Sequence, residues 1–305
     1  MQSLASRYVH NYLKFKSRRH AVGGLSLEAQ RQRLEDFAQR FRMPKNVAVE
    51  KVQMDSVPCE WLRVPGSREN CVLLYLHGGA YCAGSLNTHR RFVADLALEF
   101  AMDALLVDYR LAPELPFPAA LDDAMTVYAR LRQERPDADI IVAGDSAGGG
   151  LSLALLLRLK SENGPMPGMA LLLGPWVDLV CENESYRTVG DKEVMLDQAR
   201  LKRNARMYAG EETLTNPLIS PIYADLSGLP PVLIQTGTYD FLSGEAQMVA
   251  EQLEEAGGKV VLEVWPKMIH SWQFLNRLLP EARRAIRSLR DFIRDNLLNI
   301  HSSDR

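Results

Sequence analysis

Ser146 stands in Gly144-Asp145-Ser146-Ala147-Gly148, a G-x-S-x-G pattern in which a sharp strand-to-helix turn lifts a hydroxyl clear of a sheet edge. Glycines fit there because strand and helix pass closely. A serine hydroxyl keeps its proton at neutral pH, so a nucleophilic Ser146 needs a general base within reach and an acid to orient that base. His270 and His301 are the histidines that follow it. His301 lies in the polar end HSSDR and is set aside, which leaves His270 as the candidate base. For the acid, Asp240 ends VLIQTGTYD and Asp178 lies in GPWVDL. Asp240 is favoured because it follows the penultimate strand-like run, nearest the His270 loop, whereas a carboxylate at Asp178 can instead bind its own turn. Attack on a carbonyl also needs N–H donors for the oxyanion that develops. His77-Gly78-Gly79-Ala80-Tyr81 follows the apolar run CVLLYL. Gly78 and Gly79 can present N–H groups there without hindrance from a Cβ, and Ala147 supplies a third. His77 reads as a structural group that holds this loop. Such a set performs acyl transfer. The plainer readings, a direction-changing turn or a phosphate cradle, account for each stretch separately but not for all of them together.

These residues need a scaffold that delivers them to one edge. CVLLYL (71–76) is a continuous apolar run of the kind a strand covered on both faces requires. After it, strand-like runs at 104–109, 139–144, 169–174, 232–237 and 260–265 alternate with helical patterns at 88–100, 119–135, 147–160, 244–256 and 280–298. Strands separated by helices of this length predict right-handed crossovers and a mostly parallel sheet flanked by helices, an α/β fold. Residues 47–54 and 59–64 predict an antiparallel pair at one sheet edge. Two helical patterns precede them, 1–20 with Tyr8, Tyr12 and Phe15 and 26–42 with Leu27, Leu34, Phe37 and Phe41. The basic, aromatic first stretch could touch a membrane surface, but an amphipathic helix packing on its own domain is the favoured expectation. Residues 180–230 hold one helical pattern, 197–208, and no strand. The expected division is a catalytic domain of residues 46–180 and 215–305 under a helical cap of residues 1–45 and 181–214, placed over the carboxyl edge where such folds bind ligands.

The chain has 305 residues, 47% of them hydrophobic, and a formal net charge of −2. No field of either sign would gather nucleic acid or an anionic membrane. Cys59, Cys71, Cys82 and Cys181 lack C-x-x-C spacing, and no run reaches the ~20 apolar residues that cross a bilayer, so a reducing, cytoplasmic location is expected.

Taken jointly, HGGAY (77–81), YRLAPE (109–114), GDSAGG (144–149), PWVDL (175–179), SGLPPVLIQTG (227–237), Asp240-x-Leu242 and His270 resemble the hormone-sensitive lipase family, the bacterial family IV esterases, from about residue 47 onward. The resemblance implies the α/β-hydrolase fold, in which the triad runs in the order serine, acid, histidine. It implies Ser146, Asp240 and His270 as the triad and Gly78, Gly79 and Ala147 as oxyanion donors. It also implies no cofactor or metal and hydrolysis of short-chain carboxylic esters. The chain departs from the family pattern at Ala80, where many members have a third glycine, and at Phe241, where the family often has proline after the acid. The expected partner is a small-molecule ester, with neither nucleic acid nor stable membrane insertion; a homodimer stays open. So do a lactone, thioester, amide or acetylated metabolite as substrate, and a non-catalytic ligand-binding role. Tyr81, Trp176, Leu242 and Trp272 are candidates for a substrate pocket or, equally, for plain core.

Overall fold

The computed structural model describes residues 2–20 and 26–303, with side chains described for 2–16 and 26–297. In chain order it holds α1 (Leu4–His20), α2 (Leu27–Ala38), β1 (Ala48–Met54), β2 (Val57–Arg63), β3 (Cys71–Leu76), α3 (Leu86–Phe100), β4 (Asp103–Val107), α4 (Ala119–Glu134), β5 (Asp139–Asp145), α5 (Ala147–Ser161), β6 (Met169–Leu173), α6 (Ser185–Val189), α7 (Gln198–Ala209), β7 (Val232–Tyr239), α8 (Ser243–Glu255), β8 (Val260–Ile269) and α9 (Pro280–Ser303). The strands form one sheet in the order β1-β2-β4-β3-β5-β6-β7-β8. β1 and β2 pair antiparallel, as do β2 and β4, and every other neighbour is parallel. This is the expected mostly parallel sheet with its antiparallel pair at one edge.

Alternate residues of the central strands point to opposite layers, which is why these runs are apolar throughout rather than alternating. Leu73 and Tyr75 of β3 and Ile141 and Ala143 of β5 pack with Phe92 and Leu96 of α3 and Leu289 and Ile293 of α9. Val72, Leu74 and Leu76, with Ile140 and Val142, pack on the other side against Leu121, Val127 and Leu131 of α4 and Leu151 and Leu155 of α5. At the far edge, Val232 and Ile234 meet Val249 and Leu253 of α8. The carboxyl ends of β3, β5, β7 and β8 therefore open on the same rim.

Between β6 and β7 the chain carries α6, α7 and two single turns of 3-10 helix, with no strand. Asp197 caps α7 by accepting the Arg200 N–H. The inner face of α7 brings Tyr208 flat against Tyr81, ring centroids 3.7 Å apart, so this segment rests on the loop after β3.

Three expectations change. Tyr8, Tyr12 and Phe15 are not buried against the domain but are 73%, 52% and 57% exposed, and Leu34 and Phe37 of α2 are also exposed. The inward seam of α1 is Ser6, Val9 and Leu13, packed near Met268 and Trp272. β8 does not stop at Trp265: after an irregularity it pairs again, Tyr239 with Ile269. Pro266 lacks an N–H but sits on the edge strand, where none is needed on the open side. α9 runs through residue 298 to Ser303, because polar residues without glycine or proline do not end a helix. The side chain of His301 lies outside the described residues.

Candidate active site

The elbow holds Ser146 at φ 52°, ψ −121°, a left-handed conformation for a residue that bears a Cβ. Close approach imposes it: a Cβ on Gly148 would lie 2.0 Å from the Leu76 carbonyl oxygen, so the helix can cross β3 here only with glycine. The Ser146 N–H donates to the Leu173 oxygen at the end of β6 (2.9 Å). The next residue, Gly174, lies against the opposite half of the site. A Cβ there would lie 3.1 Å from Asp240 Oδ2 and 3.3 Å from His270 Nδ1. Gly174, at φ +54°, thus spaces the serine from the acid and base, a role that its position at the end of an apolar run did not signal.

His270 follows β8 directly and Asp240 follows β7. Their side chains meet with Nδ1 and Oδ2 2.9 Å apart, both buried. Asp240 Oδ1 accepts the Leu242 N–H (2.9 Å), which fixes the carboxylate. Nδ1 held by the acid leaves Nε2 as the basic nitrogen. Burial pulls the His270 pKa down, but the charge and hydrogen bond of Asp240, with smaller contributions from Glu193 and Asp145, outweigh it, and the pKa lies above the ordinary 6.5. The alternative acid, Asp178, is engaged elsewhere: its Oδ1 accepts from the Val180 N–H (3.0 Å) and the Tyr223 hydroxyl (3.3 Å).

The loop after β3 takes left-handed φ at Gly79, Ala80 and Tyr81. It also changes the donor set. The Gly78 N–H, expected to face the oxyanion, donates to Asp145 Oδ1 at 3.0 Å and is occupied. The N–H groups of Gly79, Ala80 and Ala147 make no hydrogen bond among the described residues. Ala147 begins α5, where first-turn N–H groups have no helical partner. Asp145 also accepts the Tyr75 hydroxyl (2.8 Å) and lies 3.3 Å from His89 Nε2. Burial alone would raise its pKa, but His89 and these donors hold it below the usual carboxylate value. His77 is fully buried, and burial together with His89 pushes its pKa down to about 3, so it stays neutral; it stacks on Tyr109 at 4.2 Å. That is the structural role its place before the serine predicts.

Glu193 has no counterpart in the sequence reading. It lies between α6 and α7, buried, and its Oε1 accepts the N–H groups of Val194, Met195 and Leu196. Its Oε2 accepts the N–H of Phe241 at 3.1 Å. Proline at 241, frequent in the family pattern, has no N–H to give; the phenylalanine in this chain permits the contact. Burial and the neighbouring Asp240 push the Glu193 pKa up to about 7. Glu245, also missed, is buried and accepts the Val177 and Asp178 N–H groups (2.8 and 2.6 Å), pinning the turn after β6. Only long-range contact identifies these carboxylates, and a single sequence does not carry that signal.

Of the pocket candidates, Tyr81, Trp176, Leu242 and Trp272 are each at most 1% exposed. Trp176 and Leu242 share a cluster with Tyr81, and Trp272 sits in another with Met268 and Ile269, so their burial fits the core alternative. Among the described residues no cluster of side chains has the makings of a metal site.

Residues 73–274 match a family model for the α/β hydrolase fold. The chain belongs to the α/β-hydrolase family. An acetyl-hydrolase of Streptomyces hygroscopicus is 41% identical over 77% of this chain and 79% of its own length. An esterase of Acinetobacter venetianus is 33% identical over 93% of this chain and 94% of its own. Among solved structures, an esterase from the bacterial hormone-sensitive lipase family superposes with a TM-score of 0.91 at 35% identity, covering 97% of this chain and 99% of that one. A hormone-sensitive lipase from a metagenome library gives 0.92 at the same identity and coverage. Within the α/β hydrolases the chain falls in the hormone-sensitive lipase branch, as its motifs indicate.

Proposed function

We propose that this chain is a carboxylesterase that hydrolyses short-chain acyl esters through an acyl-enzyme on Ser146. The observation that carries the reading is the buried His270–Asp240 pair, 2.9 Å apart, on the same rim as a serine held in a left-handed elbow. Relatives that act as an esterase and an acetyl-hydrolase support the substrate class. In the first step His270 Nε2 takes the Ser146 proton while Oγ forms a bond to the ester carbonyl carbon. The oxyanion is held by the N–H groups of Gly79, Ala80 and Ala147, in place of the set that included Gly78. Collapse breaks the carbon–alkoxy bond, and the imidazolium gives its proton to the departing alcohol. A water then loses a proton to His270 and attacks the acyl-enzyme; the acid leaves and Ser146 regains its proton. Asp240 stabilises the imidazolium without taking its proton.

Residues 1–45 and 181–214 act as the cap of this site, with Glu193 as a positioning residue that ties the cap to the Asp240 turn. Four free, buried cysteines support a cytoplasmic location. Burial pushes the thiols of Cys59, Cys82 and Cys181 up to about 12, which leaves them unreactive. Ser146→Ala is expected to leave a folded protein whose turnover of p-nitrophenyl butyrate falls by about 10⁴-fold or more. An organophosphonate should label Ser146 covalently in the parent chain. Turnover retained in Ser146→Ala would sink the reading.

A further inference from the structure

α1 turns its larger apolar side outward. Leu4, Tyr8, Tyr12 and Phe15 recur at helical spacing and are 80%, 73%, 52% and 57% exposed, so they form one stripe. The inward seam is narrower and partly polar. Ser6 meets Met268, Val9 and Leu13 pack beside Trp272, and His10 lies on the Tyr239 ring at 5.0 Å with its Nε2 2.9 Å from the Lys192 oxygen. The helix start is fixed by Glu281, which accepts the Ser3 N–H at 2.6 Å and the Ser3 hydroxyl at 2.9 Å. A helix held down in this way, with three aromatic rings outward, is not a segment waiting to fold into its own core.

Its charge is equally one-sided. LASRYVHNYLKFKSRRH contains five Lys and Arg and no Asp or Glu, in a chain whose net charge is −2. The acidic neighbours lie at its flanks: Asp191 pairs with Lys14 at 2.7 Å, and Glu281 is engaged with Ser3. Exposed tyrosines with an apolar ring and a polar tip, beside lysines and arginines, have the chemistry of helices that lie in the headgroup region of an anionic bilayer. No helix among the described residues is long and apolar enough to cross a membrane, so contact would be along the surface.

We infer that α1 is a docking surface for anionic phospholipid bilayers. It goes beyond ester hydrolysis, because binding requires neither Ser146 nor turnover.

The test is flotation of the full chain with vesicles of phosphatidylcholine alone or with a third phosphatidylglycerol. The expected result is at least about tenfold more bound protein on the anionic vesicles, reduced severalfold by half-molar salt. Tyr8→Glu with Tyr12→Glu should lower binding by about tenfold or more, with the far-ultraviolet circular dichroism of the parent as the check on folding. Ser146→Ala should float like the parent. The salt series on the unaltered chain gives the same answer if the double variant folds poorly. The inference is overturned if the parent does not float, if binding ignores lipid charge, or if binding survives the tyrosine replacements. It is likewise overturned if sedimentation velocity finds a dimer that the double variant dissociates, which would show that a second copy covers this face.

Discussion

The two sides of the candidate site are held by different means. The serine side is built from neighbours in the sheet: β3 and β5 pair directly, and Asp145, next to Ser146 in sequence, reaches across to Gly78, Tyr75 and His89. The acid side depends on a distant segment, since Glu193, from the stretch between α6 and α7, holds the N–H of Phe241, 48 positions away. One side is fixed by the sheet itself, and the other by the docking of the segment between β6 and β7, the proposed cap. Disturbing the first should damage the chemistry wherever the cap sits; disturbing the second should act through the orientation and charge around His270.

The largest effect expected on this contrast comes from Asp240→Asn, which keeps the shape but removes the charge that His270 faces. An amide in that place favours the wrong tautomer, and kcat is expected to fall by about 10⁴-fold. The pH profile adds a sign. Catalysis needs neutral His270, and Asp240 raises its pKa above 6.5 against the pull of burial. Activity of the parent should therefore be full at alkaline pH and fall as pH drops through a midpoint above 6.5. Any residual activity of Asp240→Asn should have its acid limb at lower pH. A limb that does not move would show that another group governs the profile.

Next comes Asp145→Asn, which weakens the acceptor that anchors Gly78 and leaves His89 without a charged partner. Misplacing the loop by a fraction of an ångström to an ångström is expected to lower kcat by about 10- to 10²-fold. KM should change less, because the proposed oxyanion donors Gly79, Ala80 and Ala147 would act mainly on the transition state. A rise in KM with kcat unchanged would show that Asp145 shapes substrate binding instead. Glu193→Gln should be milder, about tenfold or less in kcat, since three of its four donors are local to the cap. It removes an anion that raises the His270 pKa, so its acid limb should also shift downward, by less than in Asp240→Asn. Phe241→Pro deletes the N–H that Glu193 accepts and should reproduce the kcat loss without the full pH shift.

The same contrast explains what was legible in the sequence. The positions of Ser146, Asp240 and His270 were readable because each follows a strand, and the end of a strand places a side chain on a known rim. Glu193, Glu245 and Gly174 were not, because their roles come from contacts between segments that no local pattern announces. Gly78 was misread for a related reason: a glycine after a strand offers an N–H, but only the fold shows that Asp145 accepts it. The helices of the N-terminal arm were found by their period, while the α1 residues expected to face the domain, Tyr8, Tyr12 and Phe15, turn outward. Periodicity reports that a helix has two sides and is silent on which one the sheet covers.

The smallest effect separates the two aspartates that the sequence offered as acids. Asp178→Asn removes a carboxylate that, among the described residues, accepts from Val180 and Tyr223 alone, and an asparagine oxygen can still accept from the Val180 N–H. Burial holds the Asp178 pKa above its ordinary value, so the neutral replacement costs little. Its kcat is expected within about threefold of the parent, and its acid limb should overlay the parent curve, because His270 keeps Asp240. If Asp178→Asn instead loses activity on the scale of Asp240→Asn and shifts the limb with it, the acid belongs to the turn after β6. The His270–Asp240 contact would then be a structural pair rather than the catalytic one.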